Sequence, residues 1–275
     1  MNTTARPVRH RAWPRCRRCH GIALDLGSSR TRAWTSGRGM ILDVPTVALS
    51  GDGPVHPVRR GAIVDTPGTA HMLDRLLGHR LPRIGRPLFI LTTPVLGGVA
   101  FRTEARIAVE ALRPFTVLTV PSARAVAVAA GADVITPLLV VDIGAHITEA
   151  VLLAEGTVVD AHRTELGLSD LDASEQPARI IDAVVTMVTT MLRQDRTTLT
   201  LDALRRGVLL AGGGALRPDI TYRLTQHLHA PVTLAPAPHT AAVRGASHLL
   251  SAAHTHPSAA AACPPPASGS GSGSG

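Results

Sequence analysis

Asp25-Leu-Gly27 and Asp142-Ile-Gly144 are the residues best placed, by type and spacing, to do chemistry in this chain. In each, an acidic residue ends an apolar run and a glycine follows one position later. Backbone N–H groups approach an anion closely where no Cβ intervenes, and a neighbouring carboxylate suits a metal ion, so each turn fits phosphate accompanied by a cation. A third glycine cluster, Gly212-Gly213-Gly214-Ala215-Leu216, follows the apolar run Val208–Leu210. Bare backbone of that kind can lie flat against a planar group or a phosphate, although such turns also serve tight packing.

The two acidic turns belong to two copies of one segment. Ile22–Asp43 and Leu139–Asp160 align without gaps, setting Asp25 on Asp142, Gly27 on Gly144, Thr31 on Thr148, Ala33 on Ala150, Gly39 on Gly156 and Asp43 on Asp160. Each copy predicts a strand, the Asp-x-Gly turn, a second strand, a tight glycine turn and a third strand. The chain therefore reads as two related half-molecules, and two such turns facing each other would clamp a nucleotide.

The elements between the copies alternate. Thr69–Leu77 predicts a small amphipathic helix, Leu88–Thr92 a buried parallel strand, Arg102–Leu112 a surface helix, Thr116–Val120 a strand and Ser122–Ala132 an alanine-rich helix. In the second half, Asp172 and Glu175 predict a helix start, and Ile180, Ile181, Val184, Val185, Val188, Met191 and Leu192 line one face of the helix that follows. A linking element at Leu199–Leu204, a strand at Val208–Leu210, a helix at Asp219–Leu228, a strand at Val232–Leu234 and a closing helix at Thr240–Leu250 complete an α/β plan.

Composition excludes several function classes. All 28 basic residues are Arg, and the formal charge is +8, but aromatics make up only 2% and do not interleave with the arginines, so the stacking platforms of nucleic-acid binders are missing. No nucleic-acid partner is expected. The start of the chain lacks the apolar core of a signal peptide, and no apolar run is long enough to span a bilayer, which predicts a cytoplasmic protein. Residues 1–20 read as a disordered basic arm, or as a weak contact to an anionic membrane surface. Cys16-x-x-Cys19-His20 has the spelling of a haem-attachment motif, but haem attachment belongs to exported proteins, and a zinc site would need two further ligands. Residues 253–275, ending in a Gly-Ser repeat, predict a disordered tail.

In this order, two Asp-x-Gly hairpins and a later strand-Gly-Gly-Gly-helix turn resemble the nucleotide site shared by actin, sugar kinases and DnaK-type chaperones. The details are similar to the bacterial actin MreB family, from about Gly21 to Leu250. Asp25-Leu-Gly-Ser-Ser-Arg-Thr31 stands where its first phosphate loop would be, Asp142-Ile-Gly-Ala-His-Ile-Thr-Glu149 where its second would be, and Arg206–Leu216 where its adenosine loop would be. Gly37–Val47, Arg59–Asp65 and Val243–Gly245 match further landmarks.

The resemblance implies an actin-like ATPase fold: two ribonuclease-H-like domains, residues 21–136 and 137–252, around a nucleotide cleft. It further implies ATP and Mg²⁺ as cofactors. Asp25 and Asp142 would face the Mg²⁺ through water. Ser28, Ser29 and Arg30 would cradle phosphates, joined by Gly144, Ala145, His146 and Ile147, and Gly212, Gly213, Gly214, Ala215 and Leu216 would line the adenosine.

The chain also departs from the family pattern. Ala145 and His146 replace glycines, so His146 either crowds the turn or contacts phosphate through its ring. Val120 stands where the family has a glutamate that orients the attacking water. Because general-base assistance is worth about 10²–10⁴-fold, ATP hydrolysis is expected to be weak or absent. Too few residues lie between Thr46 and Arg59, and between Gly167 and Asp172, for the family's two outer subdomains. The implied role is an MreB-like cell-shape protein, partnered by a full-length paralogue or by cell-wall machinery. The alternative is a nucleotide-independent scaffold. A small-molecule kinase of the same superfamily is disfavoured, because no Asp stands near Val120 as a substrate base.

Overall fold

A computed structural model describes residues 20–50, 53–81, 85–170 and 176–256. The predicted basic arm up to residue 19, the predicted helix start at Asp172 and Glu175, and the tail from residue 257 lie outside the described residues.

Strands β1 (Gly21–Leu26), β2 (Arg30–Thr35) and β3 (Gly39–Pro45) form the first predicted meander. Two small antiparallel pairs follow, β4 (Ala48–Ser50) with β5 (Gly53–Val55) and β6 (Val58–Arg59) with β7 (Ala62–Ile63). These are the elements that stand between the meander and helix α1 (Thr66–Leu77) among the described residues. Helix α1 starts three residues before the predicted Thr69 because the Asp65 carboxylate accepts from the Gly68 N–H at 2.8 Å, and Pro67 suits the first turn.

Strand β8 (Leu88–Thr93), helix α2 (Gly98–Val109), strand β9 (Thr116–Pro121) and helix α3 (Ser122–Ala129) complete the first half. The second half begins with β10 (Leu138–Ile143), β11 (Thr148–Ala154) and β12 (Thr157–Thr164). It continues through α4 (Gln176–Gln194), α5 (Leu199–Arg206), β13 (Val208–Ala211), α6 (Pro218–Leu228) and β14 (Val232–Leu234) to α7 (Ala241–Thr255). Helix α7 runs past the predicted Leu250 and includes residues 253–255 of the predicted tail.

The two sheets have the same order, β3-β2-β1-β8-β9 and β12-β11-β10-β13-β14. The ungapped alignment of the copies survives in the hairpin register: Leu26 pairs with Thr31, and Ile143 with Thr148. Alternation along the first strand of each copy sorts its side chains the same way. Ile22, Leu24 and Leu26 face α1 and α2, while Leu139, Val141 and Ile143 face α4 and α6.

The opposite faces of the sheets pack on inner helices, and these are exchanged. Helix α3, from the first half, buries Ala123, Val126 and Ala127 against Leu138, Val140 and Leu209 of the second sheet. Helix α7, from the second half, buries Val243, Ala246 and Leu250 against Ala23 and Ile90 of the first. The two helices meet where Gly245 lies against Ala125, and a Cβ at Gly245 would overlap the Ala125 carbonyl oxygen.

Candidate functional site

Both Asp-x-Gly turns close by the same bond. The Gly27 N–H donates to the Arg30 carbonyl oxygen at 3.1 Å, and the Gly144 N–H to that of Ile147 at 2.9 Å. A Cβ would stand 2.9 Å from the acceptor oxygen in the first turn and 3.0 Å in the second, so glycine is required by closeness of approach rather than by an unusual φ. Buried threonines at matched positions then brace the turns. Thr31 hydrogen-bonds Thr46 at 2.9 Å, and Thr46 donates to the Gly27 carbonyl oxygen at 2.7 Å; Thr148 donates to the Leu166 carbonyl oxygen at 2.8 Å.

The sheets bring these turns to one cleft of about 330 Å³, within the size range of small-molecule sites. Asp25, Ser28, Ser29, Arg30, Asp142, Gly144, Ala145, His146, Ile147, Gly212 and Gly213 all line it. Three residues of the predicted adenosine set lie elsewhere. Gly214 is pressed against the Ile143 side chain, Ala215 is in the core, and Leu216 is 57% exposed. Val120 is 7% exposed and packs with Ala23, Ile90, Ala125 and Val243 beneath α7, outside the cleft lining.

The cleft electrostatics are unequal between the copies, and the hairpin register explains why. Asp25 pairs across the hairpin with Arg32, but Asp142 pairs with Glu149. Burial raises the Asp25 carboxyl, while a 2.6 Å hydrogen bond from Thr92 and the Arg32 charge, 3.8 Å away, pull it back. Asp142 is pushed up to about 7, first by burial and then by the charges of Glu149 and Asp25. Like charges directly opposite each other destabilise a strand pair, and here both face a cleft. Glu149 is itself raised by burial, against the pull of two N–H groups and Arg163.

Those N–H groups come from the other half. Val95 and Leu96, in the loop after β8, donate to the Glu149 carboxylate at 3.4 and 3.3 Å, and Arg163 donates to the Leu96 carbonyl oxygen at 3.0 Å. Arg60, in the β6–β7 turn, donates to the Glu165 carbonyl oxygen at 2.6 Å and to Asp170 at 2.8 Å. The halves are thus clasped together beside the two turns.

Arg30, expected to offer its guanidinium to phosphate, is held by Asp43 instead. Its Nε donates to the carboxylate at 2.6 Å and its Nη2 to the Asp43 carbonyl oxygen at 2.7 Å. Burial raises the Asp43 carboxyl, but the Arg30 hydrogen bond and the charges of Arg32 and Arg30 outweigh it, so the group stays below its usual range.

Sequence reasoning missed Arg32, Thr92, Glu149 and His239 as cleft residues. The first and third were signalled by the repeat itself, since the ungapped alignment sets Arg32 on Glu149. Two cleft imidazoles, His146 and His239, keep a buried Nδ1 without a hydrogen-bond partner. Such an orphan costs about 1–3 kcal/mol.

The donor set fits a hard cation with a polyphosphate. Asp25, Asp142, Ser28 and Thr92 offer oxygen, the ligand atom Mg²⁺ prefers. No group of three or more His, Cys, Asp or Glu side chains among the described residues is placed to hold a metal ion. Among the described residues no helix is long and apolar enough to cross a membrane.

Residues 165–258 match the family model described as MreB/Mbl protein. No curated protein matches the sequence. Among solved structures, MreB5 of Spiroplasma citri bound to ADP aligns with a TM-score of 0.74 at 16% identity, covering 84% of this chain and 96% of that one. The MamK double helical filament aligns at 0.66 and 16% identity, covering 84% and 98%. The ethanolamine utilization protein EutJ from Carboxydothermus hydrogenoformans aligns at 0.60 and 16% identity, covering 83% and 89%. The last third of the chain is similar to the MreB/Mbl family model, and the described chain has the fold of the actin-like proteins it aligns with.

Proposed function

We propose that the cleft binds Mg·ATP, hydrolyses it weakly or not at all, and serves an MreB-like cytoskeletal role in cell shape beside a full-length paralogue. The observation that carries this reading is the convergence of two equivalent Asp-x-Gly turns on one cleft, each with a carboxylate whose charge burial disfavours. A bound cation would neutralise phosphate charge and relieve both carboxylates together. That S. citri MreB5 has been solved with ADP and with AMPPNP supports a nucleotide here.

Asp25 and Asp142 would hold Mg²⁺ through water. Ser28 and Ser29 would donate to phosphate oxygens from one side, the Gly144–Ile147 turn would face them from the other, and Gly212-Gly213 would receive the adenosine. Weak hydrolysis follows from Val120, an aliphatic side chain packed in the core where the MreB pattern has its water-orienting glutamate.

The second reading is a nucleotide-independent scaffold, favoured by one observation: the Arg30 fork is already occupied by Asp43. Isothermal titration with Mg·ATP separates the two. The nucleotide reading expects saturable binding with negligible phosphate release over an hour. Absence of binding at millimolar Mg·ATP overturns it in favour of the scaffold.

A further inference from the structure

The bonds that join the halves beside the cleft differ in exposure. Glu149, which holds the Val95 and Leu96 amides, is 4% exposed, whereas the Arg60 side chain, which holds residues 165–170, is 45% exposed. Water replaces exposed bonds at little cost, but a buried carboxylate stripped of its donors is left unsatisfied. Parting the halves at Arg60 while Glu149 keeps its hold is therefore the cheaper motion.

The turn that carries Arg60 spans the cleft. Arg59 pairs with Ala62, so Arg60 and Gly61 alone connect β6 to β7, and both have positive φ, 47° and 70°. Glycine adopts that region freely and an arginine seldom does, so Arg60 is the strained member of a tight hairpin. Its guanidinium crosses to the second half, donating to the Glu165 carbonyl oxygen at 2.6 Å and to Asp170 at 2.8 Å. Gly61 touches both Asp-x-Gly turns: its N–H donates to the Ser28 hydroxyl at 3.2 Å, and a Cβ on it would come within 3.1 Å of the Ile147 side chain. On the far wall, the Leu168 and Ser169 N–H groups donate to the Gly144 and Ala145 carbonyl oxygens at 3.0 and 2.7 Å, so the segment that Arg60 grips is itself fastened to the second turn. Gly61, Leu168 and Ser169 all line the cleft.

We infer that the β6–β7 turn is a strap across the cleft, with Arg60 as its latch: the strap swings off residues 165–170 to admit a ligand between the two turns, then closes again. Because Arg60 grips protein and makes the same bonds with the cleft empty or filled, it sets how fast a ligand enters and leaves and not how tightly it is held. The identity of what passes the strap rests on the nucleotide reading above; the opening itself does not.

Hydrogen exchange of the full chain without ligand reads the opening at the Gly61 amide. Arg60→Ala is expected to speed that exchange about tenfold and Asp170→Asn, from the opposite wall, about threefold, with the double variant no faster than Arg60→Ala alone. The Leu168 and Ser169 amides should keep their protection, and Arg59→Ala should change nothing. In stopped-flow with the magnesium complex of N-methylanthraniloyl-ATP, Arg60→Ala should raise the association and dissociation rates together and leave the affinity within about twofold. The inference is overturned if Gly61 exchange ignores Arg60→Ala or Asp170→Asn, or if it rises while both nucleotide rates stay fixed. If the unaltered chain binds no nucleotide, the nucleotide reading fails and the exchange result alone decides the strap.

Discussion

Asp25 and Asp142 are the same residue of a repeated hairpin, yet their cross-strand partners differ by a full reversal of charge. Arg32 relieves the first aspartate and Glu149 burdens the second. With the Asp142 carboxyl near 7 in the fold and 3.8 as its ordinary value, the folded chain keeps a proton that the unfolded chain has released between about pH 4 and pH 7. Stability of the metal-free protein should then fall as pH rises through that window, by at most about 1.4 kcal/mol per unit. Denaturant unfolding in chelator at pH 4.5, 6 and 7.5 should show the decline. Asp142→Asn should flatten it, and an unchanged slope in that variant would assign the decline to other groups. The aspartates were legible in the sequence because the Asp-x-Gly spelling is local. Glu149 was not, because its role depends on which residue faces it across a hairpin, although the repeat held that information. Arg30 was legible as a cleft residue but not as a bound one, since its Asp43 partner lies a whole strand away.

At the scale of elements, strands were read closely and helix ends less so. Leu88–Thr93 and Val208–Ala211 announce themselves as short continuous apolar runs, buried on both faces. Helix α2 begins at Gly98, four residues before the predicted Arg102, because its first turn carries Gly98 and Val99 rather than the charged periodicity that marks the rest. No local pattern could show that α3 and α7 pack beneath each other's sheets, since an apolar helix face does not name the surface it covers. Their crossing depends on Gly245. Gly245→Ala would force the helices apart over cores that include Val120, Val243 and Leu250. A loss of at least about 3 kcal/mol is expected in urea unfolding, at the upper end for overpacking because the obstacle is backbone. Gly37→Ala, where a Cβ meets nothing within 4 Å, should change stability by less than about 1 kcal/mol and serves as the control.

For the whole molecule, the clasps beside the turns set the relation between halves. Glu149 holds two N–H groups of the loop after β8, Arg163 holds a carbonyl of the same loop, and Arg60 reaches back from the first half. Glu149→Ala should free the Val95 and Leu96 amides, raising their hydrogen exchange about tenfold or more while strands β1 and β10 keep their protection. Equal protection before and after the substitution would show that the loop is held by its own half. The exchanged inner helices carry a further meaning. One copy of the repeat, with its sheet and outer helices, has an inner face that its own terminal helix covers only in part, because much of that helix is lent across the crossing. Domain-swapped homodimers complete their cores in this way, each protomer supplying the other with a missing part. Architecturally, the chain is like such a swapped pair joined in tandem, with the cleft lying along the seam between two halves alike in sheet order and unlike in charge.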